Sequence, residues 1–279
     1  MTAPQPGTKT KAFVVLSGGQ DSATCLFWAK IKFHEVHAIT FNYGQRHKIE
    51  IESAKMVAKL AGVESHEILD LPAGILDGTS PLVNKSEMVP EYDSEEEMPD
   101  GVAKTFVPMR NQFFLTIAAN RAFVLGCNVL VTGVCETDYS GYPDCRREFI
   151  DSFENTCNLG TFTGEDWLQG GLKVETPLMH MSKAESVGLA IDIGAWPALA
   201  YSHTAYDGTF PPAGTDAASI LRAKGFLEAE VCDPMILRAW KLGLCELPQT
   251  ENYTSEEVNF ALDALETSLG ENWYALSVD

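Results

Sequence analysis

Residues 17–22 (Ser-Gly-Gly-Gln-Asp-Ser), near the start of the chain, have the composition of a phosphate-binding loop. The loop follows five apolar residues, 12–16, which predict a buried parallel strand, and it precedes an apolar helical pattern. Two glycines let the backbone approach an anion, and a helix start directs N–H groups at it. Ser17 and Ser22 add hydroxyl donors, and Asp21 could hold a Mg²⁺ ion that bridges phosphate oxygens. The pattern favours a nucleotide phosphate site over an ordinary strand–turn–helix joint, and it is not a Walker loop.

Further polar residues occur at predicted strand ends and helix starts. Arg46 and His47 follow the second predicted strand, Arg110 and Asn111 begin a helix, and Lys183 opens another helix. Arginine and lysine in such places can bind phosphate or carboxylate oxygens. Each is otherwise an ordinary surface residue, and the residues alone leave both alternatives open.

Residues 135–146 combine two tyrosines, two aspartates, a serine and an arginine directly after a predicted buried strand. Aromatic faces can stack on a flat heterocycle, and carboxylates can accept its ring N–H groups. The same composition would suit a turn-rich connector. Because the stretch follows a buried strand, we favour a substrate site.

The candidate site residues follow predicted strands or begin predicted helices, so the arrangement of the strands decides which of them meet. The predicted strands cover residues 12–16, 36–41, 64–69, 129–134 and 174–178. Their alternation with helical patterns predicts an α/β fold with a doubly wound parallel sheet of the Rossmann-like type, and ligands beyond the carboxyl ends of the strands.

The last part of the chain is predicted to be mostly helical. We divide the sequence into a disordered lead (1–11), a nucleotide-binding α/β domain (12–195) and a helical C-terminal region (196–279). A capping box at residues 254–257 precedes the final helical pattern. That helix is expected to serve packing or an oligomer surface, such as a homodimer interface.

The composition excludes several classes of protein. The chain has 279 residues and a formal charge of −19, from 39 acids and 20 bases, which argues against a direct nucleic-acid substrate. No apolar run is long enough to span a membrane, and residues 1–11 lack a signal-peptide core, so a cytoplasmic location is expected.

Seven cysteines without a Cys-x-x-Cys motif indicate reduced thiols. Six acids within residues 91–100 predict a solvated, mobile loop, with a lid or docking segment as the alternative.

Several motifs together resemble a known family. Residues 17–22 are similar to the SGGxDS loop of the PP-loop ATP pyrophosphatases. The remaining motifs are residues 43–47, 107–111, 138–146, 177–180, 182–185 and 221–226. In this order they resemble the QueC family, the 7-cyano-7-deazaguanine synthases. The resemblance implies an ATP-dependent reaction in which the carboxylate of 7-carboxy-7-deazaguanine attacks the α phosphate, pyrophosphate leaves, and ammonia displaces AMP. A second ATP then converts the amide to the nitrile.

The resemblance also implies roles for individual residues. ATP and Mg²⁺ would be bound by the loop residues Ser17, Gly18, Gly19, Gln20, Asp21 and Ser22 and by Arg46, Arg110 and Lys183. Catalysis would depend on Asp21, with Arg110 and Lys183 stabilising phosphate charge during displacement. The deazaguanine, or an amide derived from it, would be framed by Tyr43, Gln45, Asp138, Ser140, Tyr142, Asp144 and Arg146.

One departure from the family concerns its four-cysteine zinc site. The corresponding positions here are Ala205, Ala213, Asp216 and Ser219, so a Cys₄ zinc site is excluded and no zinc is expected. The spacing of His203, Asp207, Asp216 and Cys232 is poor for substitute ligands.

Three functions are consistent with the sequence. The first is an authentic synthase that uses ammonia and two ATP in queuosine-type biosynthesis. The second, which we favour slightly, is a repurposed ligase such as the QueC-like proteins of type IV CBASS anti-phage operons, which join the deazaguanine as an amide to the N-terminus of a nucleotidyltransferase. The third is a non-catalytic nucleotide-binding module, against which the intact loop, Arg110 and Lys183 argue.

Overall fold

The computed structural model describes residues 10–45, 49–72, 74–78, 80–84, 86–136, 141–161 and 171–278. The strands are β1 (Lys11–Val15), β2 (Glu35–Asn42), β3 (Ser65–Asp70), β4 (Val129–Val131) and β5 (Lys173–Glu175). They form one sheet in the order β3-β2-β1-β4-β5, and each neighbouring pair is parallel. The predicted fold class is therefore confirmed. Strand β1 begins at Lys11, the last residue of the predicted lead, and residues 1–9 lie outside the described part.

Eight α-helices accompany the sheet in the described residues. They are α1 (Gln20–Lys32), α2 (Ile49–Ala61), α3 (Arg110–Leu125), α4 (Arg147–Thr161), α5 (Lys183–Asp192), α6 (Ala217–Glu228), α7 (Pro234–Lys241) and α8 (Ser255–Leu269). The sequence analysis assigned no element to α4, although Ile150 and Phe153 are buried at helical spacing.

Side chains of successive strand residues enter two separate cores, as period-two alternation requires. In β1, Ala12 and Val14 face a core shared with α1, α2, α5 and the C-terminal helices. Phe13 faces the opposite core, shared with α3 and α4. Both faces of the sheet are covered, which explains why the strands are apolar along their whole length.

Helix α8 belongs to the first of these cores. Val258, Ala261 and Leu265 are buried there, together with Trp273 after the helix. The predicted packing role of the final helix is confirmed. Within the described residues, no helix has both the length and the apolar character required to cross a bilayer.

The sheet order creates a crevice beside β1. The chain leaves β1 for β2 on one side, and it later enters β4 on the other side of β1. Helices that leave a parallel sheet in opposite directions open a ligand crevice at the carboxyl ends of the strands.

Strand β4 ends at Val131, earlier than predicted. A Cβ atom at Gly133 would lie 3.0 Å from the carbonyl carbon of Asp21, so the chain passes close to the start of α1 there.

Candidate active site

The loop between β1 and α1 lies in this crevice and is held by its own serines. The Ser17 N–H donates to Ser22 Oγ at 3.1 Å, and Ser22 Oγ donates to the Gly19 carbonyl at 3.1 Å. Gly19 occupies the N-cap of α1 without a capping side chain. The N–H groups of the first turn of α1 are thus left without a capping side chain, which is the geometry that a bound anion requires.

Gly18 fixes the shape of the loop. Its φ is +92°, a conformation that residues with a side chain rarely adopt. A Cβ atom here would lie 2.2 Å from the Glu50 carbonyl oxygen and 2.8 Å from the Ala54 amide nitrogen. The loop and the first turns of α2 therefore pack backbone to backbone, and only glycine permits this contact.

Asp21 and Lys183 meet across the loop although 162 positions separate them in the chain. Lys183 Nζ donates to Asp21 Oδ2 at 2.7 Å, and both side chains are largely buried. Asp21 Oδ1 and Gln20 Nε2 are buried and have no hydrogen-bond partner among the described residues. An unpartnered carboxylate oxygen fits a Mg²⁺ ion, which is usually bound by one or two carboxylates together with substrate phosphates. The residues present therefore fit the implied Mg²⁺-nucleotide.

Lys183 is held in this position because it is the first residue of α5, whose N-terminus is stabilised by side-chain capping. Ser182 and Glu185 form a capping box, in which Glu185 N–H donates to Ser182 Oγ and Ser182 N–H donates to the Glu185 carboxylate. The ammonium group is thereby held beside the loop, a position compatible with the expected contact to a phosphate group.

A cavity of about 330 Å³ opens beside the loop at the carboxyl ends of the strands. Ten of the predicted site residues line it: Ser17, Gly19, Gln20, Asp21, Ser22, Tyr43, Gln45, Arg110, Tyr142 and Lys183. The rings of Phe41 and Phe114 stack along its wall with their centroids 4.4 Å apart. A flat aromatic wall next to a phosphate loop suits a ligand that carries both a planar ring and an anionic group.

Arg110 faces three tyrosines inside this cavity. It is the first residue of α3, and Tyr43, Tyr142 and Tyr206 act on it electrostatically. Burial raises the pKa of each of these tyrosines, so their hydroxyls remain protonated at neutral pH. Tyr142 is further fixed by a 2.6 Å hydrogen bond between its hydroxyl and Thr105 Oγ1. The arrangement offers one permanent cation and several neutral hydroxyls to an anionic substrate.

Glu50 is a cavity residue that the sequence analysis missed. It lies in the first turn of α2 and lines the cavity with Arg110 and Tyr43. Burial raises the pKa of its carboxyl to about 7, and the nearby Arg110 guanidinium only partly opposes this.

The acidic segment also contributes to the cavity. Tyr92, Met98 and Pro99 line it, and the Tyr92 N–H donates to the Thr215 carbonyl at 2.8 Å. Glu95 pairs with Lys224 on α6. The interpretation as a purely solvated loop is therefore wrong for Tyr92 and Met98, and the structure favours the alternative of a cover over the site.

Of the positions that the resemblance assigns to a zinc site, Ala205 lines the cavity, and Asp216 and Ser219 lie at the start of α6. Asp216 caps α6, accepting from the N–H groups of Ala218 and Ser219 and from Ser219 Oγ at 2.7 Å. Asp207 accepts from the Ala213 N–H at 2.6 Å. No group of three or more His, Cys, Asp or Glu side chains that could hold a metal ion occurs within the described ranges. The seven cysteines are free thiols.

Two described residues that were predicted for the substrate site do not line the cavity. Asp144 is buried and its carbonyl accepts from Asn111 Nδ2, but it does not line the cavity. Arg146 is exposed and does not line the cavity either. Arg46, Asp138 and Ser140 lie outside the described residues.

Comparison with known proteins gives consistent matches. The family described as "Queuosine biosynthesis protein QueC" matches residues 11–230. A 7-cyano-7-deazaguanine synthase of Laribacter hongkongensis is 47% identical over 229 residues, which cover 81% of this chain and 94% of that protein. A 7-cyano-7-deazaguanine synthase of Gloeobacter violaceus is 45% identical over 234 residues, which cover 83% and 96%. Among solved structures, a 4-thiouridine synthetase–RNA complex with bound ATP aligns at 16% identity with a TM-score of 0.44, covering 95% of this chain and 54% of that chain.

Proposed function

The chain belongs to the QueC family, and from this premise we propose that it uses ATP to activate the carboxylate of 7-carboxy-7-deazaguanine and then transfers the acyl group to an amine. The observation that carries the proposal is the Asp21–Lys183 pair, which joins the loop to the start of α5, together with the buried Asp21 Oδ1, which has no hydrogen-bond partner among the described residues and suits a Mg²⁺ ion. A carboxylate is a poor electrophile, and adenylation gives it a good leaving group.

The first step forms a bond between a substrate carboxylate oxygen and the α phosphorus, while the bond from phosphorus to pyrophosphate breaks. Bound Mg²⁺-ATP supplies the electrophilic phosphorus and the leaving group. Gln20 and the start of α1 would bind phosphate oxygens, and Asp21 would hold the metal ion. Lys183 and Arg110 stabilise the negative charge that shifts toward pyrophosphate. In the second step an amine nitrogen bonds to the acyl carbon, and the carbon–oxygen bond to AMP breaks.

Ammonia is the first candidate for the amine, because the relatives that cover most of the chain are named as 7-cyano-7-deazaguanine synthases. With ammonia the product is an amide, which a second ATP would convert to the nitrile by loss of the amide oxygen with AMP.

A protein N-terminus is the second candidate, as in a CBASS-type conjugating ligase. Two features of the chain support it. The positions that the resemblance assigns to the zinc site carry Ala205, Ala213, Asp216 and Ser219, and the chain continues past residue 230, where the family match ends, into α7 and α8. Ala205 lines the cavity, so a change there would alter the surface that a protein acceptor would meet.

The test is mass spectrometry of the products formed from Mg²⁺-ATP and 7-carboxy-7-deazaguanine with two kinds of amine. One series contains ammonium, and the other contains peptides with a free or an acetylated N-terminus. A 7-cyano product indicates the ammonia-dependent synthase, and a conjugate with only the free peptide indicates the ligase. Asp21→Asn and Lys183→Ala are expected to lose AMP formation, whereas Glu52→Gln, at an exposed glutamate of α2, keeps it. AMP formation that does not require the acid would contradict the proposal.

A further inference from the structure

Glu50 is a cavity carboxylate that has no role in the proposed activation of the substrate by ATP. Glu50 lies in the first turn of α2, and its backbone packs on Gly18 of the phosphate loop. Glu50 lines the same cavity as Asp21 and Lys183, and its carboxylate interacts electrostatically with Arg110, Tyr43 and Tyr206 there. Glu50 is thus anchored at the loop where the activated acyl group would form.

The surroundings of Glu50 are suited to a proton acceptor. Burial disfavours its charged form, Arg110 favours it, and the balance raises the pKa of the carboxyl to about 7. A general base is most effective when its pKa lies near the working pH. The titratable and charged groups among the described residues that share the cavity with Glu50 are Asp21, Tyr43, Tyr92, Arg110, Cys135, Tyr142, Cys145, Lys183, His203, Tyr206 and Arg222. Tyr43, Tyr142 and Tyr206 stay neutral because burial raises the pKa of each, and the Arg110 guanidinium stays charged.

The other cavity carboxylate is already engaged. Asp21 accepts a hydrogen bond from Lys183 and is the candidate metal ligand, so it is not available to take up a proton. Among the described residues that line the cavity, Glu50 is the remaining carboxylate. His203 also lines it, but its Nε2 is engaged by the Thr209 carbonyl, and burial lowers its pKa.

We propose that Glu50 binds the incoming amine and accepts its proton, which makes it a catalytic residue of the acyl-transfer step. The inference rests on the proposed function, because it concerns the second step of that reaction. It applies equally to ammonium and to a protein N-terminal ammonium, since both must lose a proton before they can attack.

With ammonium as the amine, the acyl-transfer step begins with a proton transfer. The Glu50 carboxylate takes one proton from ammonium and becomes a carboxylic acid. The ammonia that is released forms the carbon–nitrogen bond with its lone pair, while the bond between the acyl carbon and the AMP oxygen breaks. A second proton leaves the nitrogen for solvent, and the products are the amide and AMP. No oxidant or reductant is required.

Glu50→Gln tests this with two nucleophiles. Ammonia is mostly protonated at neutral pH and needs a base, whereas hydroxylamine is mostly unprotonated and does not. We expect the variant to keep acid-dependent exchange of labelled pyrophosphate into ATP and to keep hydroxamate formation from hydroxylamine. Amide formation from ammonium should fall about 100-fold or more. Glu52→Gln is the matched control, because Glu52 lies on the same helix, is exposed, and pairs with Lys55.

The pH profile adds a signature that a merely structural role would not produce. At a fixed total ammonium concentration, the wild-type rate should level off above about pH 7, where Glu50 is ionised. The Glu50→Gln rate should continue to rise by about tenfold per pH unit, in proportion to free ammonia.

The outcomes separate the inference from the proposed function. Wild-type protein without acid-dependent exchange would refute the proposed function. If the variant loses exchange, or loses hydroxylamine and ammonium turnover equally, Glu50 acts on binding or folding and the inference is overturned. Loss confined to ammonium supports it.

Discussion

Gly18 and Gly19 provide a matched pair of substitutions in one loop. Alanine at position 18 would place its Cβ 2.2 Å from the Glu50 carbonyl oxygen and 2.8 Å from the Ala54 amide nitrogen, and backbone atoms cannot rotate away. Alanine at position 19 would find its nearest neighbours at 3.5 Å and beyond, which is ordinary contact. The same chemical change should therefore have very different consequences at neighbouring positions.

The cost at position 18 has two parts. A left-handed conformation costs a residue with a side chain about 1–2 kcal/mol. Forcing an extra carbon into a packed interface costs about 1–3 kcal/mol more. Gly18→Ala should thus lose about 2–5 kcal/mol, or roughly 3–9 °C in melting temperature. Gly19→Ala, at the N-cap with a φ of −79°, should lose less than about 1 kcal/mol.

Differential scanning fluorimetry of both variants, with and without Mg²⁺-ATP, measures these effects. We also expect Gly18→Ala to lose its thermal shift with the nucleotide, because the loop must move to relieve the contact with α2. If the two variants melt at the same temperature, the close packing of loop and helix described here is wrong.

Three further predictions concern the cation, the carboxylate and the final helix. Lys183→Ala should lower the rate of acid-dependent pyrophosphate exchange about 100- to 1,000-fold, because the charge on the leaving group is left without its cation. Melting curves should establish that the variant is folded. The pKa of Glu50 is raised from 4.5 to about 7, so the folded state holds its proton longer than the unfolded state, and stability falls as pH rises through this window. Relative to wild type, Glu50→Gln should therefore gain about 3 kcal/mol in urea unfolding above pH 7 and almost nothing near pH 4.5; a gain independent of pH would contradict this. Leu265→Ala should cost about 2–5 kcal/mol, because the side chain is fully buried. Phe260→Ala on the same helix, where Phe260 is 74% exposed, should change stability by less than about 0.5 kcal/mol. Equal effects of the two α8 substitutions would mean that this helix does not complete the core.

Local patterns were enough to predict most of the sheet and its helices. Buried strands such as β1 are apolar on both faces, and glycines such as Gly62 mark helix ends. Strand β4 ends three residues earlier than the predicted strand 129–134. The backbone at Gly133 passes close to the start of α1 there. Helix α4 was missed, although Ile150 and Phe153 carry its signal.

The site was only partly predictable, because several of its residues are functional by position rather than by motif. Glu50 looks like an ordinary acidic residue in the first turn of a helix, where it suits the helix dipole. Only the packing of α2 on Gly18 turns it toward the cavity. Tyr92 stands in an acidic stretch that predicts solvent exposure, and its backbone contact with Thr215 spans more than 100 positions.

The most direct test of the central claim follows the substrate oxygen. The protein is incubated with Mg²⁺-ATP, an amine and 7-carboxy-7-deazaguanine labelled with heavy oxygen in its carboxylate, and the AMP is analysed by mass spectrometry. If the carboxylate attacks the α phosphate, one labelled oxygen appears in AMP. Unlabelled AMP, or the label in inorganic phosphate with ADP as the nucleotide product, would contradict the claim.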